Sequence, residues 1–425
     1  MNRRLIIGER LMYVNADTSV NGAFVAKIRG LIALDNLRNA LNKVQQKHPL
    51  LQAKIVEDQA GIPSFTSDGS VPEIPIRVVE RLTDHDWETV VEQEWKTVFD
   101  VRNGPLMRVV WLQSDTLSEL VMVCAHCISD GATVVSLMRE ILAVIDKPDQ
   151  ELGTYPDFNS VKELMPDDFS FTWKDAVKAR VLSRLAFLFF LIKSKKSNYS
   201  PGKHYMLQWT LDKETTNVLN RTCKQENTSV HSVLCVAYME AFKAVQGAKA
   251  HGKVICPVDI RRLVPKIKSD MMFAFAPIVE LSIEKQSTDA FWTKARKVQE
   301  SLLVKARAIK GNDMLMMGEY FHASVIKWVN FLKSTPGTHD VTLSNMGRLR
   351  IPEHYQSFEV EKIYSPAVAF PWRNPNTLIV SSFRREMHFS FVSNDGFLSV
   401  EDAQIITKKA LDLLLTTSES LVKES

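Results

Sequence analysis

Apolar and polar positions follow two different periods through the first third of the chain. Residues 23–33 alternate with the two-residue period of a half-buried strand. From Asp35 onwards, apolar residues recur every three or four positions until His48-Pro49, which predicts a capped helix that ends before the proline. The same criteria predict strands at 50–56, 106–112 and 120–125 and helices at 84–99 and 131–145. The pattern therefore predicts one unit in which strands and helices are interleaved.

The periodicity stops at residues 147–170, where three prolines and several aspartates predict a linker that crosses the surface. Residues 173–196 then read as one basic, very apolar helix. A second unit follows, with predicted strands at 205–211, 254–260, 277–283, 377–383 and 388–392 and predicted helices at 213–224, 230–245, 289–308 and 401–414. We predict an α/β protein with an N-terminal lobe (1–170), a connecting helix and linker (171–203) and a C-terminal lobe (204–425).

The composition is that of a large globular protein. With 425 residues, of which 45% are hydrophobic and 24% charged, the chain can bury a sizeable core without disulfides or metals. The formal net charge of +4 is small for this length. Broad nucleic-acid binding needs a basic stripe and a higher pI, so we expect no nucleic-acid partner.

Cysteine usage and the first residues point to a cytoplasmic protein. The five cysteines are odd in number and irregularly spaced, which argues against a disulfide framework and favours reduced thiols. The first apolar run has three residues, too few for a signal peptide. Residues 185–192 form the most apolar segment, and eight residues fall short of the roughly 20 that a membrane span needs. We expect a cytoplasmic monomer.

One strand-to-helix corner carries the residues best suited to chemistry. His126 follows the apolar strand at 120–125, and Asp130 and Gly131 complete a His-x-x-x-Asp-Gly run that opens the next helix. An imidazole there can take a proton from a hydroxyl, amine or thiol near neutral pH, a contribution of about 10²–10⁴-fold. Asp130 could hold the loop by pairing with a distant arginine, and Gly131 allows close backbone approach or an unusual φ. A chance His and Asp pairing is the alternative, and the corner placement favours catalysis.

This corner resembles that of the chloramphenicol acetyltransferase-like superfamily. Members include the condensation domains of nonribosomal peptide synthetases, polyketide-associated acyltransferases of the phthiocerol diacyltransferase type, and alcohol O-acyltransferases. Residues 256–262 are similar to the Pro-Val-Asp-Leu-Arg run of the polyketide-associated enzymes. Residues 341–349 are similar to a Ser-Asn-x-Gly segment near the cleft of related acyltransferases. The motifs occur in the family's order, and the resemblance covers most of the chain.

The resemblance implies a role for each matched residue. His126 is the general base, Arg261 pairs with Asp130, and Ser344 or Asn345 helps to line the acyl or oxyanion site. The implied fold has two acetyltransferase-like lobes that form a pseudo-dimer with the active-site channel between them. The donor is the thioester of acyl-CoA or of an acyl carrier protein, used as a co-substrate, and no cofactor is bound permanently. The acceptor is a small-molecule or lipid alcohol, or an amine.

The chain departs from two members of the superfamily. Condensation domains usually carry two adjacent histidines, whereas Ala125 precedes His126 here. The Asp-Phe-Gly-Trp-Gly segment of plant BAHD acyltransferases is missing from the sequence. Both departures favour an O-acyltransferase. Two alternatives stay open: amide formation on a carrier-bound substrate, as in nonribosomal peptide or polyketide biosynthesis, and a non-catalytic docking module of the same fold.

Other candidate motifs give weaker signals. Cys124-x-x-Cys127 flanks His126, but a zinc site needs further ligands, so packing is the favoured role. The other histidines form no spaced metal set, and we read His231 as a polar contact at the start of a helix. We therefore predict no metal site. The sequence contains no phosphate-binding glycine loop and no Gly-x-Ser-x-Gly elbow, which leaves nucleotide hydrolases, dehydrogenases and serine esterases unsupported.

The helix at 173–196 allows two interpretations. It could lie on a membrane surface, or line a lipid tunnel, with the lysines at its end facing phosphates, which would give weak peripheral membrane contact. It could instead pack between the lobes with a solvated end. The apolar residues form a nearly continuous ring rather than one face, so we favour packing between the lobes.

Overall fold

Two mixed sheets, one in each lobe, and a small three-stranded antiparallel sheet organise residues 1–194, 202–284 and 286–422, which the computed structural model describes. The strands are β1 (Asn2–Arg4), β2 (Asn21–Gly30), β3 (Lys54–Glu57), β4 (Pro63–Thr66), β5 (Ile76–Glu80), β6 (Met107–Gln113), β7 (Leu117–Ala125), β8 (His204–Leu211), β9 (Lys253–Pro257), β10 (Ile278–Ser282), β11 (Val341–Arg348), β12 (Phe358–Val368), β13 (Thr377–Phe383) and β14 (Glu386–Asn394). The helices are α1 (Ile7–Tyr13), α2 (Leu34–Lys47), α3 (Asp86–Lys96), α4 (Gly131–Asp146), α5 (Trp173–Lys193), α6 (Lys213–Gln225), α7 (Val230–Gln246), α8 (Phe291–Arg307), α9 (Gly311–Gly318), α10 (Val325–Ser334) and α11 (Val400–Val422).

The N-terminal sheet has the strand order β12-β2-β7-β6-β5. Only β5 and β6 among these neighbours run parallel. Every residue of β7 after Leu117 is buried, as expected for an apolar run whose two faces are both covered. α3 and α4 both pack against the neighbouring strand β2. β7 therefore leads from the centre of the sheet straight into the corner before α4.

The C-terminal sheet has the order β10-β9-β11-β13-β14-β8, with β11 parallel to both β9 and β13. α7 is the central helix of this lobe and packs against α8 and α11. Its residues from Ser232 to Met239 are all buried, and they share one apolar core with the inner residues of the sheet. Two separate cores thus give each lobe its own support.

One strand crosses between the lobes. β12 comes from the C-terminal half of the chain but pairs antiparallel with β2 in the N-terminal sheet, Ile363 opposite Ala26. Its buried residues Phe358, Val360, Ile363, Tyr364 and Ala367 belong to the N-terminal core. The sequence division at residue 204 therefore does not coincide with the division between the sheets, because residues 358–368 belong to the first sheet.

Each strand and helix predicted from periodicity is present, with ends shifted by at most eight residues, the largest shift being at the end of α11. The predicted strand at 50–56 is shortened, since Pro49–Gln52 forms a 3-10 turn before β3. The prediction that residues 147–170 form a surface linker is wrong. This segment buries Phe158, Val161 and neighbouring apolar residues against Phe273. The pattern did not predict β1, β4, β5, β11, β12, α1, α9 and α10, and among these β12 is a full strand of 11 residues.

Helix α5 does not pack between the lobes, so the favoured interpretation of residues 173–196 is wrong. Among its described residues only Ala179 is fully buried, and large apolar side chains are exposed along its length. The packed side combines small residues such as Ala179 and Ser183 with Phe190, which contacts α10, so one narrow face suffices for docking. The predicted end of this helix at 195–196 lies outside the described residues.

A charged network joins the lobes near the end of α2. Lys47 Nζ lies 2.7 Å from a carboxylate oxygen of Glu140 and 2.9 Å from one of Asp270. His48 Nε2 lies 2.8 Å from the other oxygen of Glu140, and the hydroxyl of Tyr155 donates to Asp270. Asp270 follows β9 and α2 belongs to the first lobe, so this network ties the two halves of the chain together.

Acid should weaken this tie. Burial raises the pKa of Asp270, but hydrogen bonds from Lys47 and Tyr155 outweigh it and lower that pKa to about 2. Because the folded pKa lies below the unfolded value of about 3.9, the stability from Asp270 is present above pH 4 and is lost as the pH falls from about 4 to about 2. We expect Asp270→Asn to lower the free energy of unfolding by about 1–3 kcal/mol at pH 7.

Urea denaturation at pH 7 and pH 3 measures this effect. The difference between wild type and Asp270→Asn should shrink at pH 3, whereas the exposed control Asp149→Asn should leave stability unchanged at both values. An equal difference at pH 7 and pH 3 would contradict the assigned role.

Candidate active site

His126 lies in the tight turn between β7 and α4. Its backbone N–H donates to the carbonyl of Val20 at 2.8 Å, and the N–H of Ile128 returns to the carbonyl of Ala125 at 3.1 Å. The turn is thus fixed by backbone hydrogen bonds on both sides of the histidine. His126 itself is partly buried, while Cys127 to Ser129 are buried.

The imidazole of His126 is held in one tautomer by a backbone carbonyl. Nδ1 lies 2.5 Å from the carbonyl oxygen of Ser129. A carbonyl oxygen can only accept a hydrogen bond, so Nδ1 carries the proton and Nε2 carries a free lone pair. Ordinarily a carboxylate orients a catalytic histidine; here the turn itself supplies the acceptor.

The surroundings keep this imidazole neutral. Desolvation by the surrounding protein lowers the pKa of His126, against a weaker opposing effect of Ser129 and Asp130. The ring of Phe370 lies against it, with centroids 5.5 Å apart, and Phe370 in turn stacks on Trp372 at 6.2 Å. A neutral imidazole with an unprotonated Nε2 can accept a proton near pH 7.

Asp130 and Arg261 meet across the lobes, as the family resemblance implies. Arg261 Nη1 lies 2.6 Å from Asp130 Oδ2, and Nη2 donates to the hydroxyl of Thr133 and to the carbonyl of Met271. The second carboxylate oxygen of Asp130 accepts from the backbone N–H of Thr133 at 2.9 Å and so caps α4. Burial opposes the charge of Arg261, but the carboxylates of Asp130 and Asp259 raise its pKa overall. Asp130 therefore anchors the corner rather than orienting the imidazole.

Gly131 permits a close approach between the lobes. A Cβ at this position would lie 3.2 Å from the terminal methyl of Met346. Gly131 is absent from the residues with positive φ, so the space and not an unusual φ explains the glycine. Met346 belongs to β11, which brings the segment at 341–349 to the corner.

Ser344 and Asn345 lie on β11 beside this contact, and both are partly buried. The side-chain oxygen of Asn345 accepts from the backbone N–H of Gly347 at 2.9 Å, within a bulge where β11 slips against β13. That hydrogen bond gives Asn345 a local structural role. The lining of an acyl or oxyanion site by Ser344 or Asn345 remains a prediction.

Phe370 and Thr133 are site residues that sequence reasoning missed. Phe370 belongs to the run Ala369-Phe370-Pro371-Trp372 between β12 and β13, and paired aromatics around a proline outside any strand were the available signal. Thr133 lies within the helix pattern of α4, and its hydroxyl role depends on Arg261, which is 128 residues away.

A small cavity opens beside the histidine. It is lined by His126, Val20 and residues of the α1 and α3 regions, and its volume of about 20 Å³ has room for about one water molecule. All of its lining residues come from the N-terminal lobe, so this cavity is distinct from the predicted channel between the lobes.

The cysteines beside His126 are buried structural thiols. Burial raises the pKa of Cys124 to about 12 and raises that of Cys127 as well, so both stay protonated and unreactive. Elsewhere in the described residues, donor atoms of His231, Cys235 and Cys256 lie within 4.8 Å of one another. This group escaped the sequence analysis because Cys256 comes from β9, and it offers three ligands where zinc takes four.

Two mixed-sheet lobes that meet at a His-x-x-x-Asp-Gly corner define the chloramphenicol acetyltransferase-like class. Residues 11–307 match the family model of the condensation domain, and the chain belongs to the condensation-domain family. A curated relative is a hybrid PKS-NRPS synthetase, xenE, of Xenoacremonium sinensis, 25% identical over 239 residues. That match covers 53% of this chain and 6% of the synthetase, so the chain spans a small part of that relative's length.

Solved structures support the same fold. The TRI3 trichothecene 15-O-acetyltransferase of Fusarium sporotrichioides aligns with a TM-score of 0.72 at 12% identity, covering 97% of this chain and 94% of that one. Polyketide synthase associated protein 5 of Mycobacterium tuberculosis aligns with a TM-score of 0.64 at 15% identity, covering 99% and 98%. The resemblance noted from the sequence is confirmed at the level of superfamily and fold.

The described residues 1–194, 202–284 and 286–422 contain no helix whose length and apolar character would let it cross a membrane.

Proposed function

We propose that this protein transfers an acyl group from a CoA or carrier-protein thioester to an acceptor hydroxyl, with His126 as general base. One observation carries the proposal: the carbonyl of Ser129 fixes the proton on Nδ1, which leaves Nε2 free to accept another. The corner sits where Asp130 and Arg261 join the lobes, so both lobes can position substrates around it.

The reaction balances without a covalent enzyme intermediate. Nε2 of His126 accepts the proton of the acceptor hydroxyl as the oxygen forms a bond to the thioester carbonyl carbon. Collapse of the tetrahedral species breaks the carbon–sulfur bond. The departing thiolate takes the proton from Nε2, which restores the neutral imidazole. The ester and a free thiol are the products.

The relatives support two acceptor chemistries. The Fusarium structure is named as an O-acetyltransferase, which agrees with a hydroxyl acceptor. The condensation-domain match favours a second candidate, amide formation on a substrate held by an acyl carrier protein. Ala125 in place of a second histidine favours the hydroxyl. The acceptor is a small-molecule or lipid alcohol in the first case and an amine in the second.

A donor and acceptor screen tests the proposal. Purified protein is mixed with acyl-CoA or acyl-carrier-protein donors and pooled alcohols or amines, and released thiol is read together with product mass. Thiol release that depends on an alcohol supports ester formation. Release that requires an amine and a carrier protein supports the second candidate. Carrier binding without turnover, in a folded protein, would indicate a non-catalytic docking module.

The rate should depend on pH through His126. Because desolvation lowers its pKa, the imidazole stays neutral and basic at pH 7. Protonation on acidification removes the lone pair, so we expect a constant kcat/KM from about pH 7 to 8 and a decline only below about pH 6.5. A pH–rate profile, checked by circular dichroism at each pH, measures this. Half-maximal activity above pH 7 would contradict a neutral base.

A further inference from the structure

Helix α5 presents a row of large apolar side chains to solvent. The row, called here the apolar stripe, recurs every three or four residues and consists of Trp173, Val177, Val181, Leu185, Leu188 and Ile192. Trp173 is 73% exposed and Ile192 is 76% exposed, so neither end of the stripe is covered. Single exposed apolar residues are ordinary, but a contiguous stripe marks an interaction surface.

The opposite side of α5 is fixed to the protein. Phe190 stacks on Trp328 of α10, with ring centroids 5.3 Å apart and planes 14° from parallel. The hydroxyl of Ser324 donates to the carbonyl of Ser183 at 3.1 Å, and that of Ser194 donates to the carbonyl of Lys327 at 2.8 Å. These contacts prevent α5 from rotating to hide the stripe.

The charges on α5 are almost all positive. Its described residues include five basic side chains and one acidic one. The acidic one, Asp175, is used in a capping box with Thr172. Lys174, Lys178 and Arg184 are exposed and interleave with the apolar stripe. Ile326 of α10 adds a further exposed apolar side chain, at 58%, on the adjoining helix.

We propose that α5 docks in the plane of an anionic membrane surface. Long basic side chains beside apolar ones can reach lipid phosphates while the apolar side chains enter the acyl boundary. A protein partner fits less well, because the cores of protein interfaces are depleted in lysine. The described helices cannot cross a membrane, so the contact is peripheral.

The helix is also connected to the candidate active site. Phe190 stacks on Trp328, which shares an apolar cluster with Trp372. Trp372 stacks on Phe370, and Phe370 lies against His126. Resting on the proposed function, this series of contacts, which passes through the apolar cluster between Trp328 and Trp372, favours an amphiphilic acceptor drawn from the membrane. Vesicle binding itself requires no turnover, so its failure and the failure of the enzymatic proposal are distinguishable.

Sedimentation of the full chain with vesicles tests the proposal. We expect binding to phosphatidylcholine vesicles that contain phosphatidylglycerol, and much weaker binding to phosphatidylcholine alone. Lys174→Gln/Lys178→Gln/Arg184→Gln should weaken binding about 100-fold, at about fivefold for each basic residue. The matched control Lys213→Gln/Lys408→Gln/Lys409→Gln removes exposed lysines elsewhere and should change it little.

The stripe is tested separately by Leu185→Gln/Leu188→Gln/Ile192→Gln, with Leu31→Gln/Leu82→Gln/Val304→Gln as the exposed apolar control. The first variant should abolish sedimentation with vesicles and the second should not. Thermal melting confirms that each variant is folded. Absence of vesicle binding by the wild type would overturn the proposal. Equal vesicle binding by the stripe variant and its exposed apolar control would also overturn it. So would a concentration-dependent dimer that only the stripe variant loses, since the face would then join two copies.

Discussion

His126→Ala is expected to lower kcat/KM for acyl transfer by about 10²–10⁴-fold, the usual contribution of a positioned general base. The side chain is partly buried but makes one hydrogen bond, to the Ser129 carbonyl, so its removal should leave the fold intact. Without Nε2, the acceptor hydroxyl keeps its proton and attacks the thioester slowly. KM should change less than kcat, because the imidazole acts mainly on the proton that is transferred in the transition state.

A matched histidine provides the control. His354 has a side chain that is 68% exposed and contacts Glu359 at the surface, so His354→Ala should retain full activity. His126→Gln keeps a polar side chain without a base and should be as inactive as the alanine variant. Full activity of His126→Ala, with normal circular dichroism, would contradict the assigned role.

Arg261→Ala is expected to destabilise the protein by about 3–5 kcal/mol, as removal of one partner from a buried ion pair generally does. The side chain of Arg261 is 4% exposed and that of Asp130 is 16% exposed, so the lone carboxylate would have little water to replace its partner. The variant also removes donors to Thr133 and to the carbonyl of Met271, which loosens the corner before α4. Activity should fall with stability, because His126 lies in the turn that Asp130 anchors.

Chemical denaturation of Arg261→Ala measures this loss, and the neighbouring exposed arginine is the control. Arg262→Ala should change stability by less than about 0.5 kcal/mol. Arg261→Lys retains the positive charge but loses the planar guanidinium group. Its stability should therefore lie between those of Arg261→Ala and Arg262→Ala. Should Arg261→Ala prove too unstable to purify, the stability of Arg261→Lys still tests the role of the guanidinium group. Wild-type stability of Arg261→Lys would show that the guanidinium geometry is unimportant.

The sequence predicted the helices and strands better than it predicted which of them pair or pack together. Periodicity found β7 and α4, and with them the corner that holds His126. It could not predict that β12 crosses into the N-terminal sheet, because the pairing of β12 with β2 joins residues more than 300 positions apart and leaves no local pattern. The apolar ring of α5 suggested burial, yet one face with small residues and Phe190 was enough to dock it. Composition alone does not reveal how much of a helix its neighbours cover.

The candidate site followed the same division. The motif placed His126 and Asp130, and the resemblance supplied Arg261 from a distant segment. The Ser129 carbonyl that fixes the imidazole tautomer is a backbone group, so no residue type signals it. Phe370 reaches the imidazole from another part of the chain. Short-range patterns therefore give the reactive group, and the fold supplies the groups that tune it.

The most direct test of the central claim is a quantitative measurement of thiol release and product mass with a working thioester donor and acceptor. The account predicts one ester and one thiol per turnover, no acyl group left on the protein, and loss of both products in His126→Ala. Acyl transfer that persists in a folded His126→Ala protein, or a stable acyl adduct on the chain, would contradict it.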